Sequence, residues 1–185
     1  MSVMKNSFAQ ATIPDDLPAE FAIYDLNEFL AAYSLSDECD IGFNESFLSF
    51  ELGGEVTEYN YASPSVVVSP GDKEITMPSI DKTFTLTKEV FEKIVKVSSI
   101  LKLRDLTIDC KGITILNRNT IGNKHKIKIS IDCPGENTVS NIKVENLKLI
   151  PVDYTVSISN KGIARFTSLS EEYRVEYHIA LEAID

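Results

Sequence analysis

Residues 87–104, TKEVFEKIVKVSSILKLR, decide the fold class, because they sort onto two faces when set at 100° per residue. Val90, Phe91, Ile94, Val95, Val97, Ser98 and Leu101 fall on one side, and Lys88, Glu89, Glu92, Lys93, Lys96 and Ser99 on the other. The spacing predicts an amphipathic helix that packs along one face and meets water along the opposite one. Thr87 is placed to cap its N-terminus, and Glu89 lies in the first turn, where the helix dipole favours negative charge. Lys102 and Arg104 follow near the end, where the dipole favours positive charge.

Outward from this helix the pattern changes to strands. Thr83 to Leu86 precede it as a strand, and after it come Leu106 to Cys110, Ile113 to Leu116 and Lys126 to Cys133. In the last of these, Ile127, Ile129 and Ile131 alternate with Lys126, Lys128, Ser130 and Asp132, as in a half-buried strand. A turn at residues 133–137 and the stretch Val139 to Val144 lead to a short helix predicted near Glu145 to Ile150, ended by Pro151. Three strands, Tyr154 to Ile158, Ile163 to Phe166 and Tyr173 to Glu182, close the chain. Towards the N-terminus, SPSVVVSPGDKEITMPSID at 63–81 carries three prolines and a Gly-Asp turn, and reads as an interdomain connection. Before it, Ile41, Phe43, Phe47, Leu48, Phe50, Val56, Tyr59 and Tyr61 fit two or three antiparallel strands around a turn at Gly53-Gly54. A short helix over 25–34 is expected from Asp25 and Glu28 at capping-box spacing, preceded by a brief strand at Phe21-Ala22-Ile23. Residues 1–13 hold a weakly alternating short strand. Spacing at strand period assigns Phe43, Phe47, Phe50, Tyr59 and Tyr61 to core.

Composition narrows the classes of function. With 43% hydrophobic and 25% charged residues over 185 positions, the chain has the make-up of a soluble globular protein of one large or two small domains. No apolar run approaches a membrane span and no signal-peptide core is present, so a cytoplasmic location is expected. Cys39, Cys110 and Cys133 are odd in number and widely spaced, which argues for buried or half-buried thiols and against disulfides or zinc. The net charge of −10 is unevenly spread. Residues 1–80 hold only Lys5 and Lys73 against fourteen carboxylates, whereas residues 81–185 are slightly basic. Contact with nucleic acid therefore requires a local basic surface that the average conceals. Catalytic signatures are missing: His125 and His178 stand far apart, neither with a nearby cysteine or acid cluster at ligand spacing, and Gly53-Gly54 lacks the setting of a phosphate-binding loop. The chain reads as no enzyme, with no cofactor or metal.

An internal repeat gives the organisation. IYDLNEFL at 23–30 precedes IKVENLKL at 142–149 by 119 residues, and EYNYA at 58–62 precedes EYHIA at 176–180 by 118. Near-equal offsets in the same order point to duplication of one α+β unit. About sixty residues precede the match in the second copy, including the long helix, against 22 in the first. Either the first domain is reduced or Met1 is an internal methionine of a longer frame.

FAIYDLNEFL at 21–30, the segment Tyr61 to Pro70, TFTLTKEVFEKIVKVSSIL at 83–101 and the closing YHIALEAID together resemble the DNA polymerase sliding clamps of tailed bacteriophages. The resemblance covers about Phe8 to Asp185; family members begin with a further strand-helix-strand of about forty residues. It implies an α+β DNA-clamp fold with two similar domains, here 1–63 (N-terminally incomplete) and 82–185, joined by 64–81. It further implies a homotrimeric ring with sheets outside and helices lining a hole for duplex DNA, placed there by a clamp loader. Such a ring tethers the replicative DNA polymerase and assists late transcription. Carried onto this chain, Lys88, Lys93 and Lys96 of the long helix, with Lys143 and Lys148 of the shorter one, become DNA-facing. Val66, Val67, Val68 and Pro70 become the frame of a pocket for a partner's C-terminal peptide. The competing expectation is a non-catalytic phage structural or regulatory domain that makes protein contacts only.

Overall fold

The computed structural model describes residues 6–12, 14, 17–35, 39–68, 75–118, 125–170 and 174–183. Two compact units result, a larger one from residues 1–14 and 72–185 and a smaller one from 15–71.

The larger unit holds two antiparallel sheets. Strands β1 (Ser7–Thr12), β5 (Lys82–Leu86), β10 (Tyr154–Ser159), β11 (Ile163–Ser168) and β12 (Arg174–Ala180) form one, in the order β1-β12-β11-β10-β5. Strands β6 (Asp105–Asp109), β7 (Gly112–Leu116), β8 (Lys126–Ile129) and β9 (Ser140–Lys143) form the other, in the order β8-β7-β6-β9. Helix α2 (Lys88–Leu101) links β5 of the first sheet to β6 of the second. Its buried Phe91 and Ile94 join Phe84 and Leu86 of β5, Leu106 and Ile108 of β6, and Val156 and Ile158 of β10 in one continuous core. Burying side chains of this size contributes about 1.5–3 kcal/mol each, so a helix with two of them at its centre is held by packing more than by propensity.

Both ends of α2 follow from local chemistry. The Thr87 hydroxyl accepts from Val90 N–H, and Asp153 Oδ1 accepts from Lys88 N–H at 2.7 Å. At the other end Lys102 is left-handed (φ 52°), and the N–H groups of Lys102 and Leu103 both return to the Ser98 carbonyl. A lysine takes this conformation because Leu103, next in sequence, is buried and anchors the exit. The apolar face is as expected except for Val95, which is 42% exposed.

Several expectations are corrected. Residues 1–14 leave the domain expected over 1–63: β1 pairs with β12 from Ser7↔Ile179 to Thr12↔Arg174, so its backbone hydrogen bonds go to the last strand. Strand β8 stops at Ile129, where its four-residue pairing with β7 ends. The short helix expected near 145–150 is a single 3-10 turn, Val144–Asn146. Only seven residues lie between β9 and Pro151, and buried Asn146 and Leu147 pin them before a helix can propagate. Of the cysteines, Cys110 is exposed rather than sheltered. Lys82, unremarkable in sequence, is buried, and its ammonium donates to the Thr138 carbonyl and to Ser140 Oγ.

In the smaller unit, β2 (Asp40–Phe43), β3 (Phe47–Leu52) and β4 (Glu55–Asn60) form an antiparallel meander turned at Gly53-Gly54, both with positive φ. Helix α1 (Leu26–Ser34) starts at Asp25, whose side chain accepts from the N–H groups of Asn27 and Glu28, as its spacing predicts. Phe29 and Tyr33 lie against Phe50, while Leu26 and Leu30 stay exposed. Phe21-Ala22-Ile23 is no strand; Ala62 N–H donates to the Ala22 carbonyl, and the Phe21 ring packs on Phe43 and Tyr61. The repeat survives as topology, since β2-β3-β4 and β10-β11-β12 are both three-strand meanders and the matched EYNYA and EYHIA segments fall in or beside their last strands.

Candidate nucleic-acid interface

Because Phe91, Ile94 and Ser98 face inward on α2, the residues turned to water are set by helical period alone. Lys88, Lys93 and Lys96 are all exposed there, together with Glu89 and Glu92. Lys88 Nζ lies 4.0 Å from Glu92 Oε1, both half exposed, which makes this a screened surface pair of little strength. Lys93 and Lys96, three apart, share one turn of the face.

The two remaining sequence-predicted lysines are placed differently. Lys143 lies on strand β9, not on a helix, and its ammonium is bonded to Asp105 Oδ1 at 2.5 Å. Burial opposes ionisation of Asp105, yet the bonds from Lys143 and from Arg118 N–H outweigh it and hold the carboxyl below its usual range. Lys148 is exposed beyond the 3-10 turn. Asp105 thus gathers Lys143, a residue named from sequence, and Arg118, which the sequence did not single out.

The connecting segment is also only partly as expected. Pro64–Val66 form a 3-10 turn. Val67 and Pro64 line a cavity of about 420 Å³ with Phe21, Ala22 and Ile23. Val66 is exposed and Val68 half-buried, and neither lines that cavity; Pro70 lies outside the described residues.

Among the described residues no group of three or more His, Cys, Asp or Glu is placed to hold a metal. None of the described helices is long and apolar enough to cross a membrane.

Two antiparallel sheets carrying a long helix with outward lysines form the architecture of the DNA clamps. The chain superposes on the proliferating cell nuclear antigen of Entamoeba histolytica with a TM-score of 0.69 at 16% identity, over 99% of this chain and 83% of that one. It superposes on that of A. fulgidus, solved with the C-terminal region of FEN-1, with a TM-score of 0.65 at 15% identity, over 100% and 84%. These likenesses establish the fold. Residues 83–183 match the family described as "gp45 sliding clamp, C terminal". Over 98% of its length the chain is 33% identical to the sliding clamp of Vibrio phage KVP40, covering 85% of that protein, and 29% identical to the sliding clamp of Enterobacteria phage T4, covering 83%. The chain belongs to the phage sliding-clamp family, and its function is that of a DNA sliding clamp.

Proposed function

We propose that this chain acts as a processivity factor: a ring of three copies, closed around duplex DNA by a clamp loader, that tethers the replicative polymerase and assists late transcription in the infected host's cytoplasm. The observation that carries this is α2, whose buried face fixes it to the sheets while Lys88, Lys93 and Lys96 stand in water. Lys143 and Lys148 add to the same DNA-facing role. A sliding clamp needs phosphate attraction without base contacts, which would pin it, and lysines suit this as mobile point charges. Glu89 and Glu92 interleave with them, so a single open subunit binds DNA weakly. Ring assembly is supported by sheet edges of opposite charge that are unpaired among the described residues, β8 exposing Lys126 and Lys128 and β4 exposing Glu55 and Glu58. The cavity at Pro64 and Val67, within the segment holding Val66, Val68 and Pro70, is the candidate seat for a polymerase's terminal peptide. The role is non-catalytic, with no cofactor.

The test is topological. With clamp loader and ATP, the protein is expected to stay on nicked circular DNA through a sizing column and to be lost once the circle is linearised. Equal retention on both forms would sink the encircling mechanism.

A further inference from the structure

We propose that β1 is a proton-sensitive strap, held on β12 while His178 is neutral and released when that imidazole takes a proton. β1 is an edge strand, with β12 as its one strand partner among the described residues. It is lightly anchored: Ala9, Gln10, Ala11 and Thr12 are exposed, and only Ser7 and Phe8 are half-buried. What holds it is the backbone ladder from Ser7↔Ile179 to Thr12↔Arg174, the bond from Ala180 N–H to the Asn6 carbonyl, and the Phe8 ring. A segment with so few buried contacts opens locally at less cost than the whole fold.

Phe8 lies opposite His178 in the register, its ring edge-on to the imidazole with centroids 6.0 Å apart. Asn6, Ser7 and Phe8 line a cavity of about 110 Å³ together with Ile163, His178 and Ala180. The imidazole Nε2 is 2.6 Å from Glu176 Oε1, so in the neutral ring Nε2–H donates to the carboxylate and Nδ1 is a bare acceptor. Nδ1 is out of water and has no hydrogen-bond partner among the described residues. A proton added there becomes a buried donor with nothing to receive it, the costly case for a polar group. Two charged groups face the ring: Glu176 of β12, and Arg165 of β11, which lies opposite His178 in the sheet. Glu176 favours the imidazolium, but Arg165 Nε stands 3.8 Å from the same carboxylate, and β1 brings no titratable side chain. Burial outweighs Glu176 and holds the imidazole below its ordinary 6.5. Lifting β1 returns Nδ1 to water, so protonation and release favour one another. The smaller unit begins at Asp15, shortly after β1, so release frees one of the two chain crossings into it.

Amide hydrogen exchange of the full chain, corrected for the intrinsic pH dependence of exchange, tests the proposal. The amides of β1 and of its β12 partners are expected to open ahead of those of β6 and β7 at both pH 7.5 and pH 5.5. Between these values their opening constant is expected to rise by up to about tenfold, the ratio that one pH unit below 6.5 allows. In His178→Gln the rise is expected to vanish. Exchange of β1 only in step with β6 and β7, or an equal rise in His178→Gln, would overturn the strap. A second readout does not depend on that variant: titrated by NMR, the His178 imidazole is expected to move up towards 6.5 in Phe8→Ala, where its cover is gone. A titration unchanged from the parent would mean that β1 does not control the site, and would overturn the proposal as well.

Discussion

His178 sits on β12 almost out of water, its Nε2 2.6 Å from Glu176 Oε1 and its ring edge-on to Phe8 of β1. Burial pushes its pKa below 6.5; Glu176 opposes this and Arg165 adds to it. The unfolded chain therefore binds a proton at this residue before the folded one does, and stability falls as pH drops from about 6.5 towards the folded value. Urea titrations at pH 7.5 and 5.5 are expected to show a loss of stability in the parent that is smaller in His178→Gln. Glu176 and His178, at i, i+2, share one strand face, but the Phe8 ring that packs on His178 comes from the other end of the chain. Gly112 teaches the same at a turn. Its φ is +128°, and a Cβ there would lie 2.2 Å from the Ile129 carbonyl oxygen. Gly112→Ala is expected to cost at least about 1–3 kcal/mol in denaturant unfolding from backbone strain alone, with more from displacing β8. An unchanged midpoint would contradict the close pairing of β7 and β8.

At the scale of elements, α2 was legible because its capping, period and burial agree. Val95 departs because residues on the flank of an apolar stripe are decided by what the partner sheet covers, which period does not encode. The turn at Val144–Asn146 was misread for a related reason: the amphipathic pattern was present, but too few residues separate β9 from Pro151 for a helix to outrun its nucleation cost. Changing Lys88, Lys93 and Lys96 together to Glu adds like-charge pairs at 88/92, 89/93 and 92/96, each costing about 0.2–0.5 kcal/mol. Thermal melting is expected to fall by a few degrees at most, while retention on circular DNA is abolished. Retention at the parental level would remove α2 from the DNA interface. Loss of the Asp25 cap in Asp25→Ala should weaken α1 by about 1 kcal/mol, read as lower helical signal, because its side chain satisfies two amide groups there.

For the whole molecule, the division of charge acquires a purpose. The carboxylates divide evenly, but the first eighty positions hold only two of the eighteen basic residues, and the second half supplies α2 and β8 with their exposed lysines. If copies join through edges of opposite sign, assembly weakens as salt screens them over a Debye length of about 8 Å at physiological strength. Light scattering is expected to show a trimer that dissociates as salt rises, and Lys126→Glu with Lys128→Glu should shift it to monomer. A salt-independent assembly would place the interface elsewhere.

By itself the sequence determined the two-copy organisation, the meander order, the helix and its wet lysines, and the family, since these rest on local period, turn residues and the joint order of short segments. Only the tertiary structure decided that β1 joins β12, that Lys82 is buried, and that Lys143 is bonded to Asp105. Each of these depends on residues far apart in the chain whose pairing is set by sheet register and by which backbone groups still need a partner. The lysines of α2 could be named from their spacing. Their neighbours across the fold could not, because a helical period describes one element and a tertiary contact is made by two.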